Sequence, residues 1–172
     1  MKKIKSGDIF VFSVGSKYGL IQVIEKSEIA GYHVRVFCDL IDQTNKKTIA
    51  SIISNGSFYY LKDFYEYDLT NKSECRISYK LSHGIKMPRY MRASERKLSG
   101  DLIWYVMDVD EGKVVKEFKC FDEELATLSP VRTWGIEYIT LRWNEGFSLD
   151  KWNDDLENKW YANYLKHYEN KE

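Results

Sequence analysis

The stretch 8–14, the short link Gly15-Ser16-Lys17 and the stretch 20–24 constrain the fold of this chain more than any other feature. Both stretches are apolar on each face, as in strands that are covered on both sides, and the link between them is turn chemistry. From 32 to 40 the pattern changes to alternation. Tyr32, Val34, Val36, Cys38 and Leu40 fall on one face, and His33, Arg35, Phe37 and Asp39 on the other. A period of two indicates a strand with one face against a core. Three strands joined by short polar links, with Gly31 before the third, predict an antiparallel meander over 8–14, 19–26 and 32–41. Such a meander forms a curved sheet or curls into an SH3-like small barrel, which limits exposed strand edges.

The second half carries a further hairpin, because the apolar stretches 102–108 and 114–118 flank Asp110-Glu111-Gly112, where glycine supplies a positive φ. The stretch 134–143 fits two periods. Ile136, Ile139 and Trp143 share a helix face, while Tyr138, Ile139, Thr140 and Leu141 are strand-forming residue types; the helical spacing is preferred. Ser148 is placed to cap a helix over 150–168, with Asp150 in its first turn. Trp152, Leu156, Trp160, Tyr164 and Tyr168 recur every four positions along it. An apolar stripe of this kind docks a helix on a body and offers no ligand chemistry. The expected fold is mainly β (α+β), one domain over 1–172, with strands within 8–120 and the helix last; 172 residues suit one core.

Composition narrows the function classes. Lys plus Arg and Asp plus Glu number 26 each, so no global field draws the chain to nucleic acid or to an anionic membrane. The basic opening runs into Gly7 and Asp8 rather than a signal-peptide core, and no apolar run approaches the roughly 20 residues of a membrane span. Cys38, Cys75 and Cys120 are odd in number and lack C-x-x-C spacing, which fits buried free thiols in a cytoplasmic protein. His33, His83 and His167 are too scattered to build a zinc site, and no metal or cofactor is expected. The segment Asp108-Val109-Asp110-Glu111-Gly112-Lys113 resembles the start of a calcium loop, but Gly112 and Lys113 stand at its fifth and sixth positions and Lys119 at its twelfth. Gly112 between Glu111 and Lys113 likewise suits a turn better than a nuclease metal site. No phosphate loop, dinucleotide fingerprint, zinc-helix motif or nucleophile elbow is present, so the expectation is a protein that is not an enzyme.

Two surfaces stand out instead. Seven basic residues against Glu95 give 76–97 a net charge of +6, and 108–124 carries a net −4. Such asymmetry can steer a partner of opposite sign. The stretch 58–67 holds six aromatics in ten residues, and tyrosine presents a stiff apolar body with a polar tip. Tyr59, Tyr60, Tyr65 and Tyr67, with Arg89, Arg92 and Arg96, are therefore the candidate partner contacts, against the alternative that the rings line a core edge and the charges are solvated.

Gly7-Asp8-Ile9-Phe10 followed by Lys17-Tyr18-Gly19-Leu20-Ile21-Gln22-Val23-Ile24 resembles the immunity protein 26 family, predicted mostly β immunity proteins of bacterial polymorphic toxin systems. In that family a Gly-Asp-Ile-Phe strand leads to a Tyr-Gly-x-x-Gln-Val strand. The likeness covers the first quarter of the chain, with a looser correspondence at Pro88-Arg89-Tyr90 and Trp134-Gly135-Ile136-Glu137, and it carries over no catalytic residue. It implies a cytosolic protein that binds and neutralises a cognate toxin domain by non-covalent blocking. The basic stretch would then meet an acidic toxin surface, or the acidic stretch would mimic the phosphates a nuclease toxin expects. The same start also resembles ribonuclease toxins of the PemK and MazF kind, but Leu20-Ile21 stand where those carry an Arg-Pro pair. A small barrel that binds nucleic acid through 76–97 is the remaining alternative, for which a neutral chain is poorly charged.

Overall fold

The computed structural model describes residues 3–29, 31–131 and 134–169, without the side chains of 164–169. Within it β1 (Ile9–Val14), β2 (Lys17–Lys26), β3 (Tyr32–Phe37), β4 (Phe58–Phe64) and β5 (Cys75–Ile77) form one antiparallel sheet in the order β4-β3-β2-β1-β5. A second antiparallel sheet has the order β6-β7-β8, from β6 (Tyr90–Arg96), β7 (Leu102–Asp108) and β8 (Lys113–Phe118). The fold is mainly β within the α+β class, as the sequence patterns predict. The barrel alternative is not formed among the described residues, because β4 and β5 end the strand order without pairing. Register shifts between Val23 and Glu25, and between Tyr32 and Val34, interrupt the β2–β3 and β3–β4 ladders. Irregularities of this kind bend a sheet locally.

The first hairpin forms as its residues dictate. Val14 pairs with Lys17 at its tip, and Gly15 takes φ 61° there. The alternation in β3 has an outcome the period alone does not give, since both of its faces are buried. Tyr32, Val34 and Val36 enter the main core, whereas Phe37 joins Ile9, Val11, Leu20 and Ile41 beneath α1 (Lys46–Asn55). That helix carries Ile49, Ile52 and Ile53 on its inner side and is capped by the Asn45 carboxamide oxygen, which accepts from Thr48 N at 3.0 Å.

The main core joins the two sheets. Val34, Val36, Tyr59 and Leu61 belong to the same buried cluster as Trp104, Val106, Trp134, Trp143 and Trp152. Between the sheets lies the segment Ser129-Pro130-Val131. Ser129 O accepts from Arg92 N at 2.9 Å, Val131 N donates to Arg92 O at 2.7 Å, and the Ser129 hydroxyl accepts from Tyr60 N at 3.0 Å. One short segment thus ties the β6 edge to the β4 edge.

The stretch around 134–143 is a helix, α4 (Ile136–Asn144), with Ile136, Ile139 and Trp143 turned inward. Its N-terminus is capped from α2 (Glu66–Asn71), where Asp68 Oδ2 accepts from Ile136 N at 3.0 Å. The last helix, α5 (Asp154–Glu169), begins later than the Ser148 signal implies. Ser148 instead precedes a single 3-10 turn over Leu149–Lys151, and Trp152 leaves helical geometry before α5 starts. Its indole fills the centre of the core, edge-on to Trp104 at 5.3 Å. The aromatic stripe is therefore split. Trp152 is buried ahead of the helix, Leu156 and Trp160 are half-buried on it, and the Tyr164, Tyr168 and His167 side chains lie outside the described residues.

Candidate interaction surface

The seven predicted contact residues do not form one patch. Tyr59 is 1% exposed, its ring edge-on to Phe147 at 5.4 Å and to Trp134 at 5.9 Å. Burial pushes its phenol well above the ordinary value, so Tyr59 is a core residue and not a partner contact. Arg92 is likewise withdrawn from the surface, at 0% exposure. Its guanidinium lies 4.4 Å over the Trp152 ring and donates to Leu125 O at 2.8 Å and Leu149 O at 2.6 Å. Burial lowers its pKa to about 9, with Glu157 and Asp150 opposing, and it remains a cation at neutral pH. Tyr59 and Arg92 are buried for one reason. On β4 Tyr59 and Leu61 are buried at alternate positions, while on β6 the successive residues Met91 and Arg92 are both fully buried, and the core receives a tyrosine ring and an aromatic-stacked guanidinium as readily as aliphatic groups.

The other arginines are on or near the surface but engaged. Arg89 donates from Nε to Asp108 Oδ2 at 2.9 Å and from Nη2 to Glu111 at 2.8 Å. The bond to Arg89 holds the Asp108 carboxyl below its ordinary value, helped by the Glu111 and Asp110 backbone N–H groups. The basic and acidic segments thus neutralise one another at this point. Arg96 donates to Gly100 O at 2.6 Å and lies 4.5 Å over the Tyr161 ring, while Arg76 pairs with Asp8. Exposed Lys80, Lys86 and Lys97 are what the basic stretch leaves to solvent.

Tyr60 is half-buried and packs edge-on against Phe58 at 5.4 Å. Tyr65 and Tyr67 are exposed, at 52% and 64%. Tyr67 leads to a surface that sequence reasoning missed. Lys72 lies 5.6 Å over its ring and is shared between Asp68, at 2.9 Å, and Glu137 of α4. Beyond Glu137 a groove of about 430 Å³ runs between α4 and α5, lined by Glu137, Tyr138, Leu141, Arg142, Glu145, Trp160 and Asn163. Tyr138 and Leu141 are 59% and 46% exposed, which is unusual for adjacent large side chains on one helix face. At the floor Arg142 lies 3.8 Å over the Trp160 ring and donates from Nη1 to Glu145 Oε2 at 2.6 Å. The Trp160 indole N–H is buried with no acceptor among the described residues. The signal was present in the sequence: with Ile136, Ile139 and Trp143 inward, Tyr138, Leu141 and Glu145 fall on the opposite side at helical spacing.

No family model, curated protein or solved structure matches this chain.

Groupings with catalytic residue types resolve into structural contacts. The Ser27 hydroxyl bonds the Asp63 carboxylate, while His33 Nδ1 accepts from Asp63 N at 3.3 Å. In a nucleophilic relay the imidazole would face the hydroxyl; here it serves a backbone N–H of a residue held at φ 54°. The thiols offer no activated nucleophile at two positions. Burial drives Cys38 up to about 12, and partial desolvation with the neighbouring Glu74 carboxylate raises Cys75. Contrary to the expectation of buried thiols, Cys75 and Cys120 are exposed. Among the described residues no group of three or more His, Cys, Asp or Glu side chains is placed to hold a metal ion, and no helix is long and apolar enough to cross a membrane.

Proposed function

We propose that this chain is an immunity protein that binds a cognate toxin domain and neutralises it by non-covalent blocking in the cytoplasm of the producing bacterium. The observation that carries the reading is the exposed aromatic surface running from Tyr67 through Lys72 and Glu137 to the α4–α5 groove. A cluster of exposed aromatic and aliphatic side chains bordered by charged groups has the anatomy of an interface core with its rim. The opening hairpin adds support, because the family it resembles implies the same role. A nucleic-acid reading draws no comparable support, because Arg76, Arg89, Arg92 and Arg96 are each engaged by groups of the protein itself rather than free for phosphates.

The test is co-expression of the chain with the toxic domain encoded beside it, read by growth and by recovery of a complex. Protection together with a complex supports the reading. Failure of a folded chain either to protect or to bind removes it, and hydrolysis of RNA by the pure chain would favour a ribonuclease.

A further inference from the structure

We propose that His33 and Asp63 form a proton-operated latch on the turn between β2 and β3, in which a proton taken up by the imidazole draws the Asp63 carboxylate off the Ser27 hydroxyl and frees 27–29 from β4. The latch is independent of the immunity reading and rests on three features of one corner of the first sheet.

A single carboxylate oxygen stands between two claimants. Asp63 Oδ1 accepts from the Ser27 hydroxyl and lies 4.0 Å from His33 Nδ1. Ser27 in turn organises the turn, because its hydroxyl oxygen accepts from Ile29 N at 3.1 Å and its own N–H donates to Gly31 O at 3.1 Å. What holds Ser27 to β4 is therefore the Asp63 carboxylate.

The neutral and protonated imidazole make opposite demands on Asp63. Nδ1 accepts from Asp63 N at 3.3 Å, which only the unprotonated nitrogen can do. With a proton from water on Nδ1, two donors face one another there, and the carboxylate becomes the acceptor for the new N–H. An imidazolium meets that carboxylate with a full charge where the hydroxyl brings none.

Asp63 is also placed to move. It sits at φ 54°, a left-handed conformation that residues with a side chain rarely adopt, and the bond to His33 is one of the ties holding it there. Register shifts between Val23 and Glu25, and between Tyr32 and Val34, already interrupt the ladders on both sides of His33. The corner can thus open locally without unzipping the sheet.

The charged groups facing His33 are Asp63 and Lys62 from β4 and Glu25, its ladder partner on β2. Burial is the strongest influence and favours the neutral ring, Lys62 adds to it, and Asp63 and Glu25 oppose, with the balance below 6.5. The latch is therefore closed at neutral pH and opens as pH falls through a midpoint below 6.5. Opening changes how the turn presents Ile29, an apolar side chain that is 86% exposed.

The test is a titration of the full chain between about pH 7.5 and pH 5, followed by the His33 ring resonances and the backbone amides of Ser27, Ile29 and Asp63. The three amides should shift with the midpoint of the His33 ring. Hydrogen-exchange protection of the Ile29 amide, corrected for the intrinsic effect of pH, should fall at least about fivefold relative to Val36 across that midpoint. His33→Asn keeps an acceptor for Asp63 N and cannot take up the proton, so in it the three amides should stay fixed and Ile29 should keep its protection. Should that variant unfold, Asp63→Asn gives a second reading, because asparagine tolerates the same backbone conformation but lacks the charge. There the His33 midpoint should move down and Ile29 should stay protected throughout. Amides of Ser27 and Ile29 that ignore the His33 titration, or that still shift in His33→Asn, would overturn the inference, as would loss of Ile29 protection in Asp63→Asn.

Discussion

Arg92 shows how one side chain can serve a core in which it is charged. Stacked on Trp152 and bonded to the Leu125 and Leu149 carbonyls, it joins β6 to α3 (Glu123–Ala126) and to the turn before α5. Lysine keeps the charge but loses the planar fork, so it cannot stack and reach both carbonyls. Arg92→Lys should cost about 1–3 kcal/mol, the cost of a buried acceptor left without its donor; urea denaturation measures it. His33 sets a pH dependence. Burial holds its imidazole below 6.5 against the opposing pull of Asp63, so the folded protein resists protonation that the unfolded chain accepts. Stability from this group is retained above 6.5 and declines as pH falls below it, until the folded imidazole also titrates. His33→Asn keeps an acceptor for the Asp63 N–H and removes the titration. The decline in denaturation midpoint between about pH 7 and pH 5 should flatten in that variant.

At the scale of elements, α4 depends on a residue 68 positions away from its first amide. Gly135 at its N-cap has no side chain to offer, and Asp68 supplies the missing acceptor from α2. Asp68→Ala should therefore lower stability by about 1–2 kcal/mol, the usual loss for a helix cap, and speed hydrogen exchange in the first turn of α4 ahead of β1 and β2. Unchanged exchange there would mean that α4 is held by its buried face alone. The outer edge of the second sheet is defended differently. β8 exposes Val114 and Val115, yet Lys113 and Lys116 stand on the same strand and a register shift interrupts its pairing with β7. Lysines and irregular pairing discourage edge-to-edge association.

At the scale of the whole molecule, the shared core and the Ser129–Val131 seam predict cooperative unfolding of both sheets together. Trp152 is the residue to test it, being fully buried against Trp104, Trp134 and Trp160, with its N–H on Glu157 Oε1 at 2.6 Å. Trp152→Ala should cost about 3–5 kcal/mol. The far-ultraviolet signal and tryptophan fluorescence should shift to lower denaturant together; separate transitions would show that the sheets unfold independently. Trp160→Ala should cost less, because its ring is only half-buried at the groove.

Because hydrophobic period and turn chemistry act over a few residues, local pattern alone determined the hairpin around Gly112, the inward face of α4 and the strands at 9–14, 20–24 and 32–37, though not that the third strand ends at Phe37, short of the expected 41. It also carried the opening Tyr-Gly pair, whose physical reason appears only in three dimensions. A Cβ at Gly19 would overlap the Trp143 indole, which passes across β2 to donate its N–H to Phe37 O at 2.7 Å. Partners far apart in sequence decided the rest. The cover of α1 made both faces of β3 interior, the inter-sheet core drew in Tyr59 and Arg92, and pairing with Asp108 and Glu111 engaged Arg89. A run of tyrosines or arginines has the same spacing whether it is buried or exposed. Only the packing of elements remote in the chain fixes which side chains reach solvent, and so only tertiary structure placed the groove between α4 and α5.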